Sequence, residues 1–233
     1  DRTETRWGRR KPWVLAGALF CAVAILFLFS PPSTAGIGYY TLFCFAFYVG
    51  YALFDVPTKA WGSELGFQSV GITDTSLGEA EGHLLQWLAS GHHGAMDYMA
   101  KHGVKRARPR ELLPGTLRVI SVRMNYFPEF SHSAEAVLRD PSRAYVSRYA
   151  LGRDYHKVMR SRLEKLVQRI KEVAGCQCRV FSDSAPVLEV ALAHKAQLGW
   201  RGKHTLLLTR EQGSWFFLGE IFIDLPLPVD EVQ

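Results

Sequence analysis

Phe181-Ser182-Asp183-Ser184-Ala185-Pro186-Val187-Leu188-Glu189 is the stretch on which the reading of this chain turns. An acid closes a short apolar run and stands just before Ser184 and Pro186. This predicts a strand over Arg179–Phe181 and a helix over Ala185–Ala196, with a carboxylate at the junction. Upstream, Tyr155, Val158, Met159, Leu163, Leu166, Val167, Ile170 and Val173 repeat at three and four. They predict a helix over Asp154–Ala174, stopped by Gly175. Leu117–Tyr126 is rich in β-branched residues and reads as a core strand, and residues 79–100 carry helical spacing interrupted by Gly91 and Gly94. Thr205–Thr209 and Ser214–Leu218 predict a hairpin around Arg-Glu-Gln-Gly, and Glu220–Leu225 continues as a strand. Strands and helices mix without a regular βα repeat, so the class is α+β.

The amino-terminal residues are of another kind. No charged residue occurs from Pro12 to Phe54. Two apolar stretches, Trp13–Phe29 and Ile37–Phe54, flank Ser-Pro-Pro-Ser-Thr-Ala-Gly. Each approaches the roughly 20 residues that cross a bilayer, so a transmembrane hairpin within residues 12–56 is expected. A signal peptide accounts for one stretch but not two. Arg2, Arg6, Arg9, Arg10 and Lys11 precede the first span and Lys59 follows the second, which puts both ends, and all that follows residue 60, on the cytoplasmic side. The net charge of +6 comes from 28 basic and 22 acidic residues. Six of the basic and three of the acidic ones lie in the first sixty, leaving 22 and 19 in a portion long enough to bury a core.

Asp183 has two readings from the residues alone. A carboxyl leaving a strand into Ala-Pro-Val-Leu is partly desolvated, which suits it to give a proton. An Asp-Ser pair before Pro186 is also a common helix cap. Tyr149, Arg153, Asp154, Tyr155 and His156 gather at the start of the long helix, either as a polar pocket wall or as caps and packing. Gly199, Gly202 and Lys203 either let the backbone approach a flat ligand or simply make a turn. Lys101, Lys105, Arg106, Arg108 and Arg110 form a basic run that can meet phosphates or merely face solvent. Cys21 and Cys44 lie in the apolar spans, and Cys176 and Cys178 are two apart. None has iron–sulfur spacing. His92-His93 has no converging ligands in the sequence and reads as loop.

Tyr149-Ala-Leu-Gly-Arg-Asp-Tyr-His156, the Asp183-Ser-Ala-Pro186 motif, Leu198-Gly-Trp-Arg-Gly-Lys-His204 and Gly213-Ser-Trp-Phe-Phe-Leu-Gly-Glu-Ile221 together resemble the corrinoid-binding part of the tRNA epoxyqueuosine reductases. The resemblance covers residues 61–233. It implies a nitroreductase-like corrinoid-binding domain that uses cobalamin and 4Fe-4S clusters to reduce epoxyqueuosine to queuosine in tRNA. It makes Asp183 the proton donor. It also implies that Arg106 or Arg108, with Tyr149, Asp154, Tyr155, His156, Gly202 and Lys203, contact the corrinoid. The family's cluster-binding cysteines follow the Pro-Leu-Pro-Val-Asp stretch matched at Pro226–Asp230, so the electron-transfer half is expected to be missing, an external electron donor is required, and this chain alone is expected to be inactive.

Residues 1–60 resemble a fragment of the glycoside–pentoside–hexuronide:cation symporters of the major facilitator class, on Asp1-Arg-Thr-Glu-Thr-Arg-Trp-Gly-Arg-Arg-Lys-Pro12 and Tyr51-Ala-Leu-Phe-Asp-Val-Pro57. That resemblance implies that Tyr51 and Asp55 are remnants of a cation site. The junction is expected within residues 57–66, as a natural fusion or an assembly artefact. Two other readings remain: a transporter fragment, and a non-catalytic membrane-tethered corrinoid- or RNA-binding module.

Overall fold

The computed structural model describes residues 11–127, 133–183 and 185–230. In chain order the elements are α1 (Lys11–Phe29), α2 (Ile37–Glu64), β1 (Ser69–Thr73), α3 (Gly78–Ala89), α4 (Asp97–Lys101), α5 (Pro109–Leu112), β2 (Arg118–Asn125), α6 (Ala134–Arg139), α7 (Tyr155–Ala174), β3 (Cys178–Phe181), α8 (Glu189–Lys195), β4 (Trp200–Arg201), β5 (Leu207–Leu208) and β6 (Phe216–Ile223). Strands β1, β2, β6 and β3 form one antiparallel sheet in that order, and β4 and β5 form a separate two-stranded ribbon.

The pleat assigns each face of the sheet its cover. Ile72, Ile120 and Ile221 stand in one cross-strand row, and with Val70, Val122 and Met124 they meet Met159, Leu163, Leu166 and Ile170 of α7. α7 is amphipathic as its spacing requires: those four residues are fully buried, Asp154 caps its first turn, and Gly175 ends it in the left-handed region. On the opposite face Val119 and Phe222 pack with Phe181, Val187 and Leu192 beneath α8. Gly71 lets α8 lie directly on the sheet, since a Cβ there would stand 2.0 Å from the Ala196 carbonyl oxygen.

α1 and α2 run against each other, with Phe27 stacked on Phe43 at 4.7 Å between ring centroids. Among the described residues only one helix, through Pro12–Phe29, is long and apolar enough to cross a membrane; its mean hydropathy is 2.4 and 17% of it is buried. The apolar part of α2, Ile37–Leu53, is shorter. α2 then continues without a break to Glu64, where Trp61 enters the same core as Val14 of α1 and α7. Glu64 pairs with Arg169 of α7 at 2.9 Å.

Three local expectations differ from the fold. The helix expected at Ala185–Ala196 is confined to Glu189–Lys195, because Pro186 and the left-handed turn at Asp183 keep the intervening residues irregular. The hairpin expected between Thr205–Thr209 and Ser214–Leu218 is reduced to a bridge from Thr209 to Gly213; Leu207 and Leu208 pair instead with Arg201 and Trp200. The strand from Phe216 runs unbroken to Ile223 and forms the centre of the main sheet. β1, which the sequence reading leaves unassigned, is an edge strand of five residues with Gly71 in its middle.

Candidate active site

Asp183 stands two residues beyond β3 with φ of 26°, a region that side-chain-bearing residues rarely occupy. Helix α8 starts six residues later, at Glu189, with Leu188 in the cap position and no side-chain cap, so Asp183 is not a helix cap. Its side chain is 54% exposed. It is held by α7 instead. The Tyr155 hydroxyl donates to Asp183 Oδ2 in a short hydrogen bond, and His156 Nε2 lies 3.0 Å from the same oxygen. Both bonds converge on Oδ2. Backbone strain of this kind costs about 1–3 kcal/mol and persists only where the surroundings enforce it. Ser184, the next residue of the motif, lies outside the described residues.

The α7 cap extends this arrangement. Asp154 accepts the His156 backbone N–H at 3.0 Å, and its Oδ1 lies 3.2 Å from His156 Nδ1. The imidazole therefore bridges two carboxylates, Asp154 on one side and Asp183 on the other. The Asp154 carboxyl is held below its usual range. Desolvation pushes it up, but the bonds from the His156 side chain and from the His156 and Lys157 N–H groups together outweigh it. Desolvation, then the bond to Asp183, raises the Tyr155 phenol, which remains a donor across the physiological range.

An aromatic row leads away from this acid. His156 stacks on Tyr155, Tyr155 on Phe217, Phe217 lies against Tyr126, and Tyr126 and Phe127 both meet Trp215. Phe127, Tyr149 and Trp215 are each about half exposed. Behind Asp183 lie Glu189 and Glu220. Glu189, at the start of α8, is near enough to Asp183 to be raised by its charge after burial, and Glu220 sits opposite Phe181 in the sheet with both carboxyl oxygens buried. The sequence reading overlooks both glutamates as site residues. The signal for Glu220 is a single acid inside the apolar run Phe216–Ile223.

Of the expected contact residues, Tyr149, Asp154, Tyr155 and His156 gather around Asp183, Tyr149 being near enough to Tyr155 to act on its hydroxyl electrostatically. Arg106 and Arg108 are engaged elsewhere. The Arg106 guanidinium donates to the carbonyls of Tyr98 (2.9 Å) and Met99 (3.4 Å), although its own carbonyl accepts the Leu188 N–H. Arg108 is forked on Glu81 and also pairs with Glu111. Gly202 and the exposed Lys203 form the turn between β4 and β5. Tyr51 donates to Asp230 Oδ1 at 3.2 Å, and Lys59 pairs with the same oxygen at 3.0 Å. The side chain of Asp55 lies outside the described residues. Among the described residues no group of three or more His, Cys, Asp or Glu side chains converges as a metal site.

An acid held between a tyrosine and a histidine at the rim of an antiparallel sheet is an arrangement suited to moving a proton. The comparisons make the class specific. The family described as epoxyqueuosine reductase QueG, DUF1730, matches residues 106–184, which include the whole Asp154–Asp183 arrangement. Epoxyqueuosine reductase of Pseudomonas aeruginosa is 63% identical over 173 residues, 74% of this chain and 48% of that protein. That part of the chain is closely similar to the epoxyqueuosine reductases. The chain spans about half the length of the curated relatives it matches. Two solved structures share the fold: epoxyqueuosine reductase from Streptococcus thermophilus (TM-score 0.64, 21% identity, 77% of this chain and 48% of that one), and an epoxyqueuosine reductase with an epoxyqueuosine-modified tRNA-Tyr stem loop (TM-score 0.65, 19% identity, the same coverage). A second family, MFS/sugar transport protein, matches residues 1–77, overlapping α1, α2 and β1.

Proposed function

We propose that the portion from about residue 61 onward is the proton-donor and corrinoid-binding part of an enzyme that reduces epoxyqueuosine to queuosine in tRNA. The single observation that carries this reading is the clamping of Asp183 Oδ2 by Tyr155 and His156 within the segment that matches the family. Removing the epoxide oxygen as water consumes two electrons and two protons. Cobalamin, when bound, supplies the reducing electrons. The structure favours such a ligand: the half-exposed rings of Tyr149, Trp215 and Phe127 offer a broad apolar surface running from the acid, suited to the flat face of a corrin. Gly202 and Lys203 offer backbone and ammonium donors for its rim amides.

The protein's own part is proton handling. Asp183 delivers a proton from Oδ1 to the departing oxygen while Tyr155 and His156 hold Oδ2 and stabilise the carboxylate that remains. His156, 46% exposed, takes a proton from solvent and returns it to Asp183, with Asp154 orienting the ring. Electrons come from a donor outside the described residues, by way of 4Fe-4S clusters as in the resemblance stated above. The substrate is tRNA, and the reductase portion faces the cytoplasm.

A second reading concerns α1 and α2, which we take as a membrane tether joined to the reductase portion inside α2. The exposed Leu19, Leu26, Phe29, Ile37 and Phe45 support it, forming an apolar surface too large for water. The Tyr51 hydroxyl, bonded to Asp230, serves this joint. Membrane flotation of the full chain, and its loss on removing the apolar helices, tests the tether.

The catalytic reading is tested with the full chain, titanium(III)-reduced cobalamin and an epoxyqueuosine-bearing tRNA stem loop, which replaces any protein electron donor. Asp183→Asn keeps the shape and a hydrogen-bonding group but has no carboxylic proton. Queuosine formation is expected to fall by about 10²–10⁴, with cobalamin binding, read by absorbance, little changed. Unaltered turnover in Asp183→Asn would remove the acid from the mechanism.

A further inference from the structure

Under α8 the main sheet buries a line of polar atoms that the fold itself leaves unengaged. The core on this face is split in two. Val119, Phe222 and Leu192 pack in one cluster, and Ala196, Leu198, Phe216 and Leu218 in another. Between them β6 places Glu220, directly opposite Ser121 of β2 and on the same face of the sheet. Both residues are wholly buried. Neither Glu220 carboxyl oxygen nor the Ser121 hydroxyl has a hydrogen-bond partner among the described residues. The line continues along that face of β2. Arg123 Nε and Asn125 Oδ1 are also sealed and unpartnered, although each residue is only half-buried overall. Other atoms of these two residues fix their place: Arg123 Nη1 donates to the Leu198 carbonyl at 3.4 Å, and the Asn125 N–H donates to Gln68 Oε1 at 2.6 Å.

Buried polar atoms are costly to leave dry, so the spacing and chemistry of the line say what satisfies it. Alternate residues on a strand stand about 6.6 Å apart, too far for direct hydrogen bonds between similar side chains. One water held between two polar atoms spans about 5.5–6 Å. The groups are also of both kinds. Arg123 Nε–H can only donate, Asn125 Oδ1 can only accept, and the Ser121 hydroxyl does either. A cation would satisfy the acceptors and be repelled by Arg123. An anion would satisfy the donors and be repelled by the acid. Water satisfies both. Glu220 fits a neutral line of this kind: burial, then the charge of Glu189, pushes it well above the carboxylate range. As a neutral acid it donates through one oxygen and accepts through the other.

We propose that a file of water molecules runs along β2 beneath α8, from Asn125 at the rim of the sheet to the Glu220 carboxyl, and gives this buried acid a path for protons to and from solvent. The half-buried Arg123 and Asn125 form the mouth of the file, and the Ser121 hydroxyl is its last relay before Glu220. The file accounts for the division of the core under α8, where the α7 side of the same sheet packs as one apolar cluster from Val70 to Ile223. It rests on side chains of β2 and β6 alone and requires nothing of the role given to Asp183.

The test is infrared spectroscopy of the full chain in detergent at pH 5, with choline as the only added cation. The carboxylic C=O stretch of Glu220 is the band that Glu220→Gln loses. In the wild type it should sit at the position of a hydrogen-bonded acid. On transfer to D2O it should shift well before the backbone amides of Glu220 and Ile221 exchange, those being read by mass spectrometry on the same sample. Ser121→Val replaces the last relay with methyl groups. Its band should move to the position of a free acid and exchange only together with the amides. Asn125→Leu closes the mouth and should slow the exchange without moving the band. Circular dichroism confirms folding, and if Ser121→Val does not fold, Asn125→Leu carries the comparison. A wild-type band at the free-acid position overturns the proposal, as does exchange that waits for the amides or that neither variant slows. An absent band, or one lost when sodium or potassium replaces choline, marks an ionised acid paired with a cation and overturns it too. Neither cobalamin nor tRNA is present, so failure here leaves the role of Asp183 standing, and loss of that role leaves the file standing.

Discussion

Tyr155 lies flat against Phe217, ring centroids 3.9 Å apart and planes at 0°, and this stack aims its hydroxyl at Asp183. The ring is thus fixed by the sheet and the hydroxyl by the loop. One residue couples the packed face of β6 to the acid, and the two contributions can be separated by substitution.

Tyr155→Phe keeps the stack and removes the donor. A hydrogen bond to a charged group contributes about 1.5–3 kcal/mol, equivalent to about 10–100-fold in rate. Queuosine formation with titanium(III)-reduced cobalamin should fall by that factor while thermal stability stays within about 1 kcal/mol of wild type. Tyr155→Ala should lose both. A fully active Tyr155→Phe would mean that His156 alone steadies the acid.

Gly71 and Gly82 make a contrasting pair. A Cβ on Gly71 would meet the Ala196 backbone at 2.0 Å, whereas Gly82, inside α3, has nothing within 4 Å of that position. Gly71→Ala should lift α8 off the sheet and cost at least about 3 kcal/mol, at the upper end of overpacking penalties. Gly82→Ala should stabilise by about 0.5–1 kcal/mol through helix propensity. Chemical denaturation of the two variants side by side gives both signs.

How much of this was legible in the sequence depends on the range of the signal. α7 was readable because its apolar spacing, Asp154 cap and Gly175 stop all lie within one segment. β2 was readable from its β-branched run. Asp183 stands out only through family motifs, since local rules also allow a cap, and the residues it contacts, Tyr155 and His156, lie 28 and 27 residues away. β5 was assigned the wrong partner because a turn around Gly213 suits a hairpin, while the choice of Trp200 and Arg201 is tertiary. Glu189 and Glu220 were missed because burial of an acid is set by what packs over it. The link from Tyr51 and Lys59 to Asp230 crosses more than 170 residues, beyond any local pattern.

Glu220 should leave its mark on stability against pH. Its folded pKa is raised by burial, so its favourable contribution is complete below the ordinary carboxylate value and is lost as pH rises toward the folded value. Each pH unit in that window costs up to about 1.4 kcal/mol. Glu220→Gln removes this slope. The variant should be less stable than wild type at pH 5, where its amide lacks partners, and should gain on it steadily to pH 8. Urea midpoints across that range read the crossing; parallel curves would show that Glu220 is ionised in the folded state as it is in the unfolded one.

Asp230 should decide how firmly the amino-terminal helices hold the reductase portion. Its carboxylate accepts the Ile72 N–H at 2.7 Å, the Lys59 ammonium at 3.0 Å and the Tyr51 hydroxyl at 3.2 Å, and its own N–H donates to the Ile72 carbonyl. The side chain is 16% exposed, so the ion pair is screened less than a surface pair. Asp230→Ala deprives a strand N–H, a cation and a hydroxyl of their shared acceptor at once and should cost about 2–4 kcal/mol. Asp230→Asn keeps an acceptor for Ile72 and should cost less than half of that. Limited proteolysis between Tyr51 and Ser69 should quicken in the order wild type, Asn, Ala. If cleavage is equal in all three, the contact of α1 and α2 with α7 alone holds the helices in place, and Asp230 serves only to pin β1.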